Sequence, residues 1–479
     1  MSAAPSLAAP FSTSSRLAAT PKKATPAKKK TALKKKSGPS GPRGEGGKRR
    51  AGSGGDGGSA SSRVSEWSMP KPDMSELAVL SADSATSQLG QVVAYSTSTL
   101  NALSHFGTPK QLGLALARQP RPRTLVRPQS LELFKHLDNS AETAAKQNAV
   151  LHGPDGAGAS TLLIHAVSHA LDKGWIVLYL PSLLSFINST SAYTYDAAHR
   201  AYLQPIIAQQ ILTKLVVGNG NRLKQVRLDE EAVASASQAI DAAGQRSSGT
   251  GSTSALTTTL LAPGQNLHEL AQAAVADSTP PSVRQIIFET VLRSLAAQTG
   301  TPFLVAMDDF QALYSQSQYR DPDYRQLHSY ELAVPSTLLQ LVRGGSSSGW
   351  KLQRGAILGA LSSAHSTLSY PIVAKELYTG LKIADEEIAR NPYTDMNQIH
   401  LKHVRTSNLS VRNVMSPQLL PTAARGEGLQ KKEAVALFSC LKRERGIFSP
   451  ANDELFVSKF VESGGNLGLF ERGLQRTLL

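Results

Sequence analysis

The run Gly153-Pro154-Asp155-Gly156-Ala157-Gly158-Ala159-Ser160-Thr161 is the most pointed chemical pattern in the chain. Two glycines five apart and a hydroxyl two positions later have the spacing of a loop that wraps phosphate groups. Such a loop works by turning successive backbone N–H groups inward, which requires residues that let backbone approach the ligand closely. A helix opening near Ser160 adds the positive end of its dipole to the same spot. The expected phosphate contacts are therefore Gly153, Asp155, Gly156, Ala157, Gly158, Ala159, Ser160 and Thr161, with the Ser160 hydroxyl in the position that ligates Mg²⁺. Position 159 is where a lysine normally reaches the β- and γ-phosphates, and here it is alanine. The cradle is present and its cation is missing. A glycine-rich turn with no ligand has the same spacing, and the surrounding elements must decide between the two.

A second chemical feature lies far along the chain. The apolar run Phe303–Met307 ends in Asp308-Asp309. A carboxylate at the tip of a strand beside a phosphate loop holds Mg²⁺ through water, and a neighbouring acid orients the attacking water in ATPases. Asp308 takes the first role and Asp309 the second; solvation of a strand end or a helix cap is the plain alternative. Ser362 or Ser363, after another apolar run, is placed to touch a γ-phosphate or to cap a loop. His165 and His169 are four residues apart on one predicted helix, but no third ligand accompanies them, so they are expected to be packed rather than metal-bound. No Ser/His/Asp or Cys/His set can be assembled. Cys440, the only cysteine, rules out an internal disulfide and is expected in a helix core.

These features need elements to position them. Ala149–His152 reads as a short strand, and Leu162, Leu163, Val167 and Leu171 follow at helical spacing. Trp175–Leu180 is a second buried strand, stopped by Pro181. Strand, loop, helix and strand of these lengths predict a parallel βαβ unit. Further helices are predicted at Gln111–Arg118, Gln129–Leu137, 203–231, Val283–Leu295 and Val334–Val342, and a strand at Gly355–Leu361. Residues 232–282, rich in Ala, Ser, Thr, Gly and Gln, read as a low-complexity insertion, with a short helix at Leu267–Ala276. The tail from 384 is mainly helical, best at Lys431–Lys442 and Asp453–Ser463. With this context the nucleotide reading of the loop outweighs the empty turn.

The chain of 479 residues carries a formal charge of +15, distributed unevenly. Residues 1–72 hold ten Lys and five Arg against Glu45, Asp56 and Glu66, a net of +12, leaving only +3 for the rest. The opening is acid-free and Ser-rich, as mitochondrial presequences are. The Lys-rich, Pro- and Gly-broken stretch from Lys22 to Arg50 is expected to be disordered alone and able to neutralise nucleic-acid phosphates. The same composition resembles linker-histone tails and keeps a nuclear reading alive. The longest apolar stretch, Trp175–Ile187, is interrupted and shorter than the ~20 residues that span a bilayer, so no membrane span is expected.

Taken in order, the motifs resemble those of the death-associated protein three family, guanine-nucleotide-binding proteins of the mitochondrial small ribosomal subunit. The matching segments are Phe106–Lys110, Leu125–Pro128 with Leu131–Leu133, the glycine loop, Gly174–Pro181, Leu304–Asp308, Gly355–Leu358 and Leu469–Arg472. The resemblance covers about residues 100–479 and is weakest across 185–282 and 384–430. It implies an α/β P-loop NTPase fold of AAA+-like type: a parallel sheet flanked by helices, a C-terminal helical lid and a basic N-terminal arm. The implied divisions are 1–72 presequence and arm, 73–124 N-terminal extension, 125–383 P-loop domain, and 384–479 helical domain. It also implies bound GTP or GDP with Mg²⁺, Arg127 and Arg472 at the nucleotide, ribosomal RNA and ribosomal proteins as partners, and a mitochondrial matrix location. Ala159 in place of the family lysine points to a structural, non-catalytic use of nucleotide. The rival is an active AAA+ matrix ATPase or chaperone, favoured by Asp308-Asp309 and disfavoured by Ala159 and by the lack of a recognisable arginine finger.

Overall fold

The computed structural model describes residues 72–142, 148–152, 155–246, 264–343, 350–362, 409–413, 428–447 and 449–476. The basic arm, Gly153, Ser363, the middle of the expected insertion (247–263) and most of 384–430 lie outside the described residues.

The chain begins with β1 (Val92–Ala94), α1 (Thr97–Phe106), α2 (Lys110–Arg118) and β2 (Arg123–Leu125). β1 and β2 pair antiparallel, with Val92 opposite Leu125. Next come α3 (Pro128–Glu142), β3 (Asn148–His152), α4 (Ala159–Asp172) and β4 (Ile176–Leu180). A small antiparallel pair, β5 (Thr194–Asp196) and β6 (Ala201–Leu203), leads into α5 (Pro205–Leu223), α6 (Glu230–Arg246), α7 (Leu267–Val275) and α8 (Pro281–Ala297). β7 (Phe303–Met307) is followed by the pair β8 (Gln316–Arg320) and β9 (Gln326–His328), then α9 (Ala333–Arg343), β10 (Gly355–Ala360) and β11 (Leu409–Asn413). The end is helical: α10 (Lys431–Arg443), α11 (Asp453–Glu462) and α12 (Leu467–Gln475).

Five strands form one sheet in the order β11-β3-β10-β7-β4, and every neighbouring pair is parallel. The reason lies in the strand sequences. β4 (IVLYL), β7 (FLVAM) and β10 (GAILGA) are buried along their whole length, as strands covered on both faces must be. Alternate residues feed opposite cores. Ile176, Leu178, Leu180, Val305 and Met307 pack with α5 to α9 on one face. Val177, Tyr179, Leu304 and Ala306 pack with α1, α3 and α4 on the other. The α5 helix is broken at Asn219, which has left helical geometry. Its side-chain amide reaches β4 instead, donating to the Val177 carbonyl and accepting from the Val177 N–H. The result is a mixed α/β body with a parallel sheet between two helical layers.

Within 232–282 the expected short helix is present as Leu267–Val275, and the expectation needs correction only at its start, where Glu230–Arg246 is helical as well. Residues 230–246 and 267–275 are helical, and Val233, Ala236 and Ile240 on α6, with Leu267, Leu270 and Ala274 on α7, join the main core. The Ala- and Ser-rich composition masked an apolar face at helical spacing. Alanine both favours helix and permits close packing, so little bulk was needed to build that face.

The three last helices form a separate apolar cluster around Leu437, Leu441, Phe456, Phe470 and Leu474, joined by Met74, Val92 and Leu125. They are fixed to the body by buried charge. Arg123 donates Nε to Glu444 Oε1 at 2.5 Å and Nη2 to Glu444 Oε2 at 2.8 Å, and Nη2 also lies 3.3 Å from Glu471. Cys440 sits in this cluster, as its helix position predicted.

Candidate functional site

The loop between β3 and α4 opens onto the C-terminal ends of the parallel strands, the edge where open α/β sheets place ligands. Gly156 and Gly158 adopt φ of +80° and +100°, the left-handed region that glycine enters without strain. Gly158 stands at the head of α4, with no side chain capping the helix and no acidic residue in its first turn. The first N–H groups of a helix have no internal acceptor, so the α4 end offers unsatisfied donors and a partial positive charge. Asp155 is exposed, Ala157 is buried, and Ala159, Ser160 and Thr161 are half-buried in the opening turn.

Asp308 follows β7, separated from β3 in the sheet only by β10. It is 2 % exposed. Burial pushes its carboxyl up to about 7; a hydrogen bond from Ser160 opposes part of that, and the neighbouring Asp309 charge adds to it. Its Oδ1 accepts from the Asp309 N–H at 3.0 Å, while Oδ2 makes no well-formed hydrogen bond. A buried carboxylate oxygen without a donor carries a cost of desolvation that a proton or a cation relieves. Asp309 has φ +56°, an uncommon conformation for a residue with a side chain, and accepts from the Ser182 hydroxyl at 2.6 Å. Ser362 is held by its backbone: Gln311 donates to its carbonyl at 2.6 Å and accepts from its N–H at 3.2 Å.

The two arginines expected at the site stand apart. Arg127 is 6 % exposed and lies 3.4 Å from Glu433 of α10. Burial lowers its pKa and the Glu433 charge offsets part of that. Arg472, on α12, is on the loop itself, with Nη2 3.4 Å from Asp155 Oδ2 and Nε donating to the Gly468 carbonyl at 3.1 Å. The start of α12 is pressed against the loop backbone. Gly468 N–H donates to the Gly156 carbonyl at 3.0 Å, and Asn466 donates to the Asp155 carbonyl at 2.8 Å. A Cβ on Gly468 would fall 2.7 Å from Gly156 Cα, and one on Gly156 would fall 2.7 Å from Asn466 Oδ1. Both glycines are required for backbone to meet backbone here.

Sequence reasoning missed Ser182, Gln311, Asn466 and Gly468. A signal existed for the last two. Asn466 directly precedes an amphipathic run, the position of a helix cap, and it does accept from the Leu469 N–H. Gly468 sits inside the helical pattern, where glycine costs stability unless packing demands it. For Ser182 and Gln311 no local pattern marks the partner. His165 and His169 are packed as expected: His165 lies between the Thr124 and Ser130 hydroxyls at 2.6 and 3.0 Å, and His169 faces Asp138 at 2.8 Å. Burial lowers the His165 pKa to about 4. No cluster of three or more metal-ligating side chains occurs among the described residues, and none of their helices is long and apolar enough to cross a membrane.

A family model described as mitochondrial ribosomal death-associated protein 3 matches residues 124–473. Two curated relatives are both called small ribosomal subunit protein mS29. The one from Schizosaccharomyces pombe is 24 % identical over 312 residues, covering 65 % of this chain and 58 % of the relative. The one from Neurospora crassa is 23 % identical over 365 residues, covering 75 % and 69 %. The alignment thus spans somewhat over half the length of the fission-yeast relative.

Proposed function

The chain belongs to the mitochondrial ribosomal death-associated protein 3 family, and from that premise we propose that it is a structural constituent of the mitochondrial small ribosomal subunit that holds a guanine nucleotide without turning it over. Its place is the mitochondrial matrix, and its partners are ribosomal RNA and ribosomal proteins, in keeping with the names of its relatives. The choice of guanine rests on the resemblance of the motifs.

The observation that carries the nucleotide reading is the pairing of an uncapped, glycine-led helix end with a buried carboxylate, Asp308, one of whose oxygens makes no well-formed hydrogen bond. The α4 N-terminus offers backbone N–H groups to phosphate, and Asp308, in hydrogen-bond reach of Ser160, has an oxygen free for a cation. These residues fit a magnesium-bound nucleotide. Ser160 and Asp308 would hold the ion, Asp308 through water, and Mg²⁺ supplies positive charge against the phosphates. Asp309, committed to the Ser182 hydroxyl, braces the strand tip rather than standing free as a base. Ala159 lacks the charge that a lysine at this position sets against the β- and γ-phosphates during phosphoryl transfer. In acyl-transfer enzymes, loss of one transition-state donor costs about 10²–10³ in rate; with a loss of that order here, the nucleotide serves as a wedge that stabilises the fold.

Sucrose-gradient fractionation of mitochondria tests the assignment. The chain is expected in the small-subunit fractions, retained through moderate salt. Sedimentation as a free protein at low salt contradicts it. The active-ATPase rival predicts turnover near 1 s⁻¹, within the ordinary enzyme range of about 1–10³ s⁻¹, abolished by Asp308→Ala; the structural reading predicts none above background.

A further inference from the structure

The C-terminal end of β4 and the middle of α5 enclose a hollow of about 90 Å³. Leu180, Phe186 and Ile211 form its apolar walls, and Ser182, Ser185 and Lys214 its polar part. Pockets that take a whole small molecule measure roughly 300–1,000 Å³, so this one has room for a small headgroup only. Lys214 is its unusual member. The side chain is half-buried, burial lowers its pKa, and no carboxylate among the described residues offsets that cost. An ammonium taken out of water without a counter-charge is destabilising, and an apolar side chain at this position of α5 would avoid the penalty.

The hydrogen-bonding capacity of the hollow narrows what it can hold. Both serine protons are committed: Ser182 donates to Asp309 at 2.6 Å, and Ser185 donates to the Ser182 carbonyl at 2.8 Å. The side-chain donors left for an incoming group are the Lys214 ammonium and the amide of Gln210, exposed one turn earlier on the same face of α5. Two donors match the two oxygens of one carboxylate. Phosphate or sulfate would leave further oxygens against Leu180, Phe186 and Ile211 without partners. A cation would be repelled by Lys214, and an apolar group would seal the ammonium from water without pairing it.

We infer that this hollow binds a single carboxylate, with Lys214 opposing its charge and Gln210 donating to its second oxygen. The group comes from an acidic side chain of a neighbouring protein or from a small free acid. The site is separate from the glycine loop, and the inference does not depend on nucleotide.

The test uses the full chain with sodium acetate as the probe, against sodium chloride of equal ionic strength. Lys214 is acylated with an amine-reactive ester near pH 8 and followed by mass spectrometry, with Lys224, exposed at the end of the same helix, as internal reference. Acetate at about 100 mM is expected to slow acylation of Lys214 about 3- to 10-fold relative to Lys224, the range for one charge-assisted hydrogen-bonded group. The melting temperature of wild type should rise in acetate above its value in chloride. Lys214→Met should melt no lower than wild type in chloride and show no acetate-specific rise, while Lys214→Arg keeps part of it. Equal acylation of Lys214 in the two salts overturns the inference, as does an acetate-specific rise that Lys214→Met retains. The labelling is read on wild type, so it decides even where a variant fails to fold. Repeating it on isolated small subunits, an arm that rests on the ribosomal reading, separates the two sources. Slow acylation of Lys214 in acetate-free buffer that acetate slows no further assigns the carboxylate to a neighbouring protein; fast acylation that acetate slows assigns it to a free acid.

Discussion

Arg123 and Arg472 both tie the last three helices to the α/β body, in opposite settings. Arg123 is a bidentate partner of Glu444, with both side chains 3–4 % exposed, and Glu471 stands beside them. Arg472 meets Asp155 at longer range and in solvent. On the Arg123 side the attachment is also apolar: Val92 and Leu125 of the β1–β2 pair join Leu437, Leu441 and Phe470 of the last helices in one buried cluster. Around Arg472 it is two glycines in backbone contact with two hydrogen bonds. A buried ion pair resists separation because either charge left alone must be desolvated without compensation. An exposed pair exchanges partners at little cost. The same helical unit is thus anchored at one end and adjustable at the other, and the adjustable end is the one on the glycine loop.

Breaking the anchored side should have the largest effect. Arg123→Ala strands Glu444 in a dry environment and is expected to destabilise by about 3–5 kcal/mol, measured by denaturant unfolding; a loss under 1 kcal/mol would show that the pair is not the anchor. The pH dependence belongs to this side too. Thr124, next to Arg123, hydrogen-bonds His165, whose pKa is lowered to about 4 by burial. Between pH 4 and about 6.5 the unfolded state binds a proton that the folded state refuses, so stability falls as pH drops through that window. The full shift corresponds to ~3 kcal/mol. His165→Gln should flatten this acid limb, even if it lowers stability at pH 8; an unchanged limb would place the titration elsewhere.

The adjustable side yields smaller and more selective effects. Gly468→Ala would ordinarily gain up to ~1 kcal/mol in a helix. Here its Cβ meets Gly156 Cα at 2.7 Å, so a loss of about 1–3 kcal/mol is expected. Gly473, on the same helix, would meet only Lys459 Cδ at 3.4 Å. Gly473→Ala should be neutral or stabilising, and equal effects at 468 and 473 in thermal melts would remove the loop contact from the account. Asp155→Ala should change nucleotide-free stability by less than ~1 kcal/mol, the smallest effect of the set.

Much of this comparison was legible in the sequence on one side of each contact only. The strands Trp175–Leu180, Phe303–Met307 and Gly355–Leu361 declared themselves as uninterrupted apolar runs, because a parallel sheet buries both faces. The glycine loop and Asp308 were visible because the glycine spacing and a carboxylate after an apolar run are local patterns of residue type. The helix of 230–246 was obscured, since alanine and serine give a weak apolar contrast even when the face is buried, whereas the short helix at 267–275 was legible. Contacts across 300 residues, such as Gly156 with Gly468 or Arg123 with Glu444, leave no local trace. Arg127 illustrates the limit: its motif pointed to nucleotide, and its side chain lies beside Glu433, a residue no spacing rule connects to it.

The central claim is that the glycine loop binds nucleotide by its backbone, and the melting temperature of the full chain with and without millimolar Mg-GTP tests it most directly. A ligand that binds the folded state alone adds about 2.7 kcal/mol at one hundred times its dissociation constant. Gly158→Val forces a β-branched residue into φ +100°, so it lowers the baseline by about 1–3 kcal/mol on its own; the informative quantity is the nucleotide-dependent shift in each protein. The account predicts a clear upward shift for wild type and none for Gly158→Val. No shift in wild type, or equal shifts in both, would contradict it.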